Sequence, residues 1–245
     1  MTQRARLGEK VNRCKVVMSH RGVSGDEPEN TLEAFAASVA RGVEAIELDV
    51  RRTADGVLVV SHDATVGGGS IAASTYAELA ARAPGLCTFG QALETIPSPC
   101  LLDVEIKVPG IEAEVLDELK LMREKGGYVV TSFHDETVAR VKALDPSVRA
   151  GLILGEGRPR EGIGARLSEF FPARRLRRSG SDLVAPNVKV LRCGFLRRMM
   201  RQGYPVYVWT VNEPELMKRM LRHPGVAGII TDRPLEAMAV RAGLQ

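Results

Sequence analysis

Short apolar runs alternate with amphipathic segments along nearly the whole chain, and the apolar run comes first each time. Runs at residues 16–19, 45–50, 101–106, 128–132, 150–154, 183–186, 206–210 and 228–231 are too short for helices. They are nearly continuous, which is the pattern of strands covered on both faces. Helical spacing of apolar positions marks 31–41, 89–95, 111–125, 136–144, 165–177, 191–202, 213–221 and 235–241. Eight strand–helix units predict an α/β chain with a parallel sheet closed into a single eight-stranded β/α barrel of TIM type. An open doubly wound sheet would use fewer strands and a glycine-rich first turn.

The apolar run at 57–60 stands outside the eightfold count. Only the turn residues Ala54-Asp55-Gly56 separate it from the preceding strand, too few for a parallel crossover. It is predicted as an irregular, hairpin-like excursion on the barrel rim after the second strand. The stretch 64–74 (A-T-V-G-G-G-S-I-A-A-S) reads as a flexible loop by its Gly and Ser content. Residues 1–15 form a polar, basic tail, and 16–245 form one barrel domain.

Composition narrows this picture without redirecting it. Of 245 residues, 44% are hydrophobic and 26% charged, as in ordinary globular domains. The net charge of +4 suits an anionic substrate but is too modest for a nucleic-acid binder, and no basic–aromatic stripe appears. Cys14, Cys87, Cys100 and Cys193 are scattered, so neither a zinc site nor a disulfide framework is indicated. No apolar run approaches a membrane span and none resembles a signal peptide, which makes a cytoplasmic protein the expectation.

Chemistry concentrates where a β/α barrel places it, at the carboxyl ends of the strands. Glu47 and Asp49 stand two apart in an otherwise apolar strand, so both point to one face while Ile46, Leu48 and Val50 point to the other. Two carboxylates about 5 Å apart repel by roughly 3 kcal/mol at an effective dielectric near 20. A hard divalent cation, Mg²⁺ or Ca²⁺, would relieve this in an all-oxygen site. The bland alternative is that Arg51 or Arg52 pairs with one of them. The first strand ends Ser19-His20-Arg21-Gly22, the excursion ends at His62-Asp63, and Asp103, Glu105 and Lys107 share one face of the third strand. Arg21 suits bidentate phosphate binding, and Gly22 would let the backbone approach a ligand. Phe133 and Trp209 stand at two further strand ends as candidate pocket walls, Trp209 reading equally as barrel core. His134 and His223 read as structural. Asp232-Arg233-Pro234 reads as a helix N-cap with Pro in the first turn.

Taken in order, His20-Arg21-Gly22, Pro28-Glu29-Asn30-Thr31, Glu47-x-Asp49, Asp55-Gly56, His62-Asp63, Glu105-Ile106-Lys107, Ser132-Phe133, Val208-Trp209-Thr210-Val211-Asn212 and Ile230-Thr231-Asp232 resemble the glycerophosphodiester phosphodiesterase family. The resemblance runs from about Val16 to Pro234. It implies a β/α barrel that cleaves a phosphodiester to an alcohol and glycerol 3-phosphate. It places Glu47, Asp49 and Glu105 on the family's Mg²⁺ or Ca²⁺ ligands, and His20 and His62 on its general base and general acid. Arg21 and Lys107 fall on its phosphate contacts.

The sequence departs from the family after His62-Asp63. Ala64-Thr65-Val66 runs straight into three glycines where the family commonly has Thr-Leu, an Arg and a longer insertion, and Leu86-Cys87-Thr88-Phe89 replaces its Pro-Thr-Leu. The leaving group is therefore open, and a bulkier substrate is one reading of the shortened cover. Seven arginines between Arg158 and Arg178, interleaved with Leu167, Phe170, Phe171 and Leu176, make either a solvated outer helix or a basic amphipathic helix touching anionic lipid. The second would fit a lysophospholipase D at a membrane surface. A rival of another class is a catalytically silent barrel that holds phosphate esters, against which the pair of histidines argues.

Overall fold

The computed structural model describes residues 15–123, 127–155 and 163–244; the predicted basic tail, Lys15 apart, lies outside the described residues. Strand β1 (Val16–Ser19) leads through a 3-10 turn at His20–Gly22 to α1 (Leu32–Ala40), whose N-cap Thr31 accepts from the Ala34 N–H. Strand β2 (Ala45–Arg52) turns back at Gly56, which takes a φ of +87° that favours glycine, into β3 (Leu58–Val60). Two short strands, β4 (Thr65–Val66) and β5 (Gly69–Ser70), precede α2 (Tyr76–Arg82) and α3 (Phe89–Thr95). Then come β6 (Leu101–Ile106), α4 (Glu112–Arg123), β7 (Gly127–Ser132), α5 (Asp135–Leu144), β8 (Ala150–Leu154), α6 (Ile163–Phe170) and α7 (Ala173–Ser179). The chain finishes with β9 (Leu183–Pro186), α8 (Phe195–Arg201), β10 (Tyr207–Val208), α9 (Pro214–Arg222), β11 (Gly228–Thr231) and α10 (Pro234–Ala242).

Eight strands pair in parallel in the order β10-β11-β1-β2-β6-β7-β8-β9. The ring closes between β9 and β10 through the parallel bridges Val184–Val206 and Asn187–Trp209. This is the predicted TIM-type barrel. Alternation along each strand divides the apolar residues into two cores. Ile46, Leu48 and Val50 face outward into the layer between sheet and helices with Phe35, Phe89 and Val104. Ala45, Met18, Ile153, Ala185 and Ile230 fill the barrel interior. Glu47 and Asp49 share the parity of Ala45, so they point into the barrel, as period two predicts.

The run at 57–60 is the expected excursion, with β3 pairing antiparallel to β2 at Val50–Val60 and Arg52–Leu58. Residues 64–74 are ordered structure and not the loop predicted from their glycines. Gly67 and Gly68, at φ +55° and +75°, turn the β4–β5 hairpin. Ile71 follows in a 3-10 turn, 1% exposed against Val59, Leu79 and Leu86. Burial of that side chain, worth about 2 kcal/mol, outweighs the flexibility the composition suggested. Helix α2 is absent from the periodicity reading, although its Thr75–Glu78 capping box is a usable signal. The helix predicted over 165–177 is two helices. Pro172 lacks an N–H and disfavours helical geometry at Phe171, so the chain breaks there.

Candidate active site

The parallel register of β2 and β6 builds the acidic cluster. Glu47 lies beside Asp103 and Asp49 beside Glu105, one strand spacing apart and on the inner face. Oxygens of Glu47, Asp49 and Glu105 come within 4.8 Å of one another, and all three side chains are buried. Burial, then the charges of Asp49 and Asp103, push the Glu47 carboxyl well above the usual range. Burial and the Asp49 charge do the same to Glu105. Burial also presses Asp49 upward, but Lys107, the Asn30 hydrogen bond and Arg21 outweigh it and hold Asp49 low. Asp103, hydrogen-bonded by Thr131 at 2.7 Å, is pushed up to about 7, chiefly by burial.

Positive charge meets the cluster from two sides. Lys107 Nζ stands 2.7 Å from Glu105 Oε1 and 3.3 Å from Asp49 Oδ1. Arg21 Nε lies 3.4 Å from Asp49 Oδ2, while its backbone N–H donates to Glu47 Oε2 at 2.9 Å and its Nη1 to Glu29 at 2.6 Å. Arg52 pairs outward with Glu114 and Arg51 donates twice to the His62 carbonyl. Even with these cations in place, burial and the Asp49 charge keep the Glu47 and Glu105 carboxyls raised, and Arg21 Nε is buried without a well-formed hydrogen bond. An incompletely satisfied, all-oxygen, three-carboxylate cradle fits a hard divalent cation.

Each imidazole reaches the mouth by a different device. His20 follows β1 directly, and its Nδ1 sits 2.6 Å from Asp232 Oδ1. Asn212 donates to the other Asp232 oxygen at 2.6 Å and accepts from the Asp232 N–H at 3.0 Å. His62 is carried in by β3: the Ser61 N–H donates to the Asp49 carbonyl, and Arg51 clamps the His62 carbonyl at 3.0 and 2.7 Å. Its Nδ1 lies 2.8 Å from Asp63 Oδ1. His20 and His62 line one recess with Glu47, Glu105 and Lys107, walled by Phe133 and Trp209. The two rings meet edge to face at 5.8 Å, and the indole N–H donates to the Ala185 carbonyl at 2.9 Å. An adjoining cavity of about 280 Å³ opens past His62, Lys107, Phe133 and His134.

Several assignments differ from the sequence reading. Asp232 is no helix cap: Arg233 holds that position, and the Asp232 carboxylate is spent on His20 and Asn212. Gly22 is required by packing as well, because at φ +75° an added Cβ would lie 2.4 Å from the Phe35 ring. Asn30, quoted only within a motif, is a working part of the cluster. Its amide donates to Asp49 Oδ2 at 2.9 Å from a backbone at φ +58°, an uncommon region that Asn tolerates. Residue periodicity could not find Asn30 or Asp232, since both act from loops. His134 precedes α5, and His223 Nδ1 accepts from the Gly225 N–H beside Pro224, as expected.

A family model described as the glycerophosphoryl diester phosphodiesterase family matches residues 20–236. The chain belongs to that family. One relative, the glycerophosphodiester phosphodiesterase of Caldanaerobacter subterraneus subsp. tengcongensis, is 31% identical over 242 residues, covering 89% of this chain and 94% of its own. A solved glycerophosphodiester phosphodiesterase from Parabacteroides distasonis superposes with a TM-score of 0.76 at 25% identity, covering 95% of this chain and 98% of that one. A phosphodiesterase from Oleispira antarctica, solved with the product sn-glycerol-3-phosphate, has a TM-score of 0.75 at 21% identity over 93% and 96% of the two chains. Members of the glycerophosphoryl diester phosphodiesterase family thus share this barrel at modest identity.

Proposed function

We propose that this enzyme hydrolyses glycerophosphodiesters, breaking one P–O bond to release an alcohol and leave glycerol 3-phosphate. The observation that carries the proposal is the convergence of His20, His62 and the three-carboxylate cradle on one recess. The names of its relatives, and the product held by the Oleispira antarctica protein, support the substrate class.

Glu47, Asp49 and Glu105 would hold Mg²⁺ or Ca²⁺, which, when bound, supplies positive charge for the phosphoryl oxygens. Arg21 and Lys107 line the same recess, where they would contact the phosphate. With Nδ1 engaged by Asp232, His20 offers Nε2 as the base that takes the proton from the attacking hydroxyl. His62 donates a proton to the departing alkoxide, and Phe133 and Trp209 form the apolar wall. Water or a hydroxyl of the substrate's own glycerol supplies the nucleophile.

The test is a turnover screen with Mg²⁺ or Ca²⁺ over glycerophosphocholine, glycerophosphoethanolamine, glycerophosphoinositol, glycerophosphoglycerol and lysophospholipids. Release of glycerol 3-phosphate from at least one glycerophosphodiester is expected, abolished by chelation and restored by Mg²⁺ or Ca²⁺ but not Zn²⁺. Release of the head-group alcohol from lysophospholipids alone, leaving lysophosphatidic acid, would replace this reading with a lysophospholipase D. Absence of turnover with binding retained would replace it with a silent phosphate-ester barrel.

A further inference from the structure

The flank of the barrel formed by α6, α7 and α8 carries a surface that hydrolysis does not use. Between residues 173 and 201 the sequence has one acidic residue, Asp182, and Lys142 already pairs with it at 2.7 Å. Arg174, Arg177, Arg178, Arg192, Arg197 and Arg201 are all exposed, and none has a carboxylate partner among the described residues. The pairs Arg174/Arg178 and Arg197/Arg201 are each four apart, so each pair stands on one side of its helix. Like charges at that spacing cost stability in isolation, and the fold tolerates them twice on neighbouring helices.

Large apolar side chains are exposed on the same flank. Leu167 and Phe171, one helical turn apart, are 53% and 54% exposed, the highest values among the large hydrophobic residues described. Met200 on α8 is 45% exposed. Arg198 ties the two helices together, its guanidinium 4.5 Å from the Phe171 ring centroid and its Nη2 donating to the Phe170 carbonyl at 2.7 Å. The flank reaches toward the mouth through α7. Arg175, four residues after Phe171, is bound to Asp135 and to the carbonyl of the pocket-wall residue Phe133.

We propose that this flank docks the enzyme on an anionic lipid surface. Exposed aliphatic and aromatic side chains on a flank with arginines that have no carboxylate partner among the described residues match such a surface on both counts, apolar insertion and attraction to acidic headgroups. A second copy of the chain is a poor occupant because it would present the same excess of positive charge. Nucleic acid is a poor one because a phosphate backbone leaves the exposed Leu167 and Met200 side chains uncovered. The proposal stands apart from the hydrolytic reading, and its test needs no turnover.

Flotation of the full chain with phosphatidylcholine vesicles, with and without phosphatidylglycerol, tests it. Wild type should float with the acidic vesicles at low salt, stay behind with phosphatidylcholine alone, and detach as salt rises. Arg174→Glu/Arg178→Glu/Arg197→Glu/Arg201→Glu should weaken partitioning by at least about tenfold. Leu167→Ser/Phe171→Ser, with every charge retained, should weaken it severalfold. Melting temperatures check that the variants fold; if the charge-reversed chain does not, the salt titration of wild type carries the test. Wild type that fails to float, or equal flotation by the charge-reversed chain, overturns the proposal. So does heparin binding as tight as vesicle binding with no effect of the serine pair, which would mark a general polyanion surface.

Discussion

His20 Nδ1 and Asp232 Oδ1 lie 2.6 Å apart, joining the end of the first barrel strand to the end of the last. The contact bridges 212 residues of sequence but a single strand spacing, since β1 and β11 are hydrogen-bonded neighbours. Asp232 is held in turn by Asn212, so the imidazole is anchored through two links to the barrel wall. A carboxylate on Nδ1 fixes the ring and leaves Nε2 to receive a proton.

Asp232→Asn should therefore lower kcat by about ten- to a hundredfold, the worth of one hydrogen bond to a charged group, roughly 1.5–3 kcal/mol. KM should change little, because Asp232 stands behind the proposed base, His20, and does not line the recess. Steady-state kinetics on a soluble glycerophosphodiester separates the two parameters, and an unchanged kcat would remove Asp232 from the mechanism.

The same carboxylate has a stability signature. Burial alone would raise Asp232, but the His20 and Asn212 hydrogen bonds outweigh it and hold the group below its ordinary value. A carboxyl depressed in the folded state contributes stability above its unfolded pKa of about 3.9 and loses it as pH falls through the lower folded value. Melting curves between about pH 2 and 5 should fall more steeply for wild type than for Asp232→Asn; parallel curves would contradict the linkage.

Asn30→Ala should weaken metal binding without touching a proposed ligand. It deletes the 2.9 Å bond to Asp49 Oδ2, and loss of such an outer partner typically costs about 10- to 100-fold in affinity. The readout is the rise in melting temperature with added Mg²⁺ or Ca²⁺. Saturation at about 100 times Kd is worth roughly 2.7 kcal/mol, and the variant should need correspondingly more metal to reach it. Glu105→Gln should abolish the rise.

His20→Ala and His62→Ala should each reduce turnover by about 10²- to 10⁴-fold, the range for loss of a positioned acid or base. Both barrels should keep the wild-type circular dichroism spectrum. Near wild-type activity in either variant on the preferred substrate would reassign the acid–base pair.

The fold was legible because apolar periodicity is a local property. The eight strand–helix units needed only the sequence of a few neighbouring residues, and the parity of Ala45, Glu47 and Asp49 along β2 by itself directs both carboxylates inward. What sequence could not determine was how distant segments answer one another. The pairing of Asp49 beside Glu105 is set by the register of β2 on β6. Ile71 turns a glycine-rich stretch into ordered structure because Val59, Leu79 and Leu86 wait beneath it. Asn30 acquires its role when its loop folds onto Asp49 of β2, and Asp232 when the end of the last strand meets the end of the first. Residue types and spacing are written in the chain; distances between loop side chains arise from closure of the barrel, which no local pattern encodes.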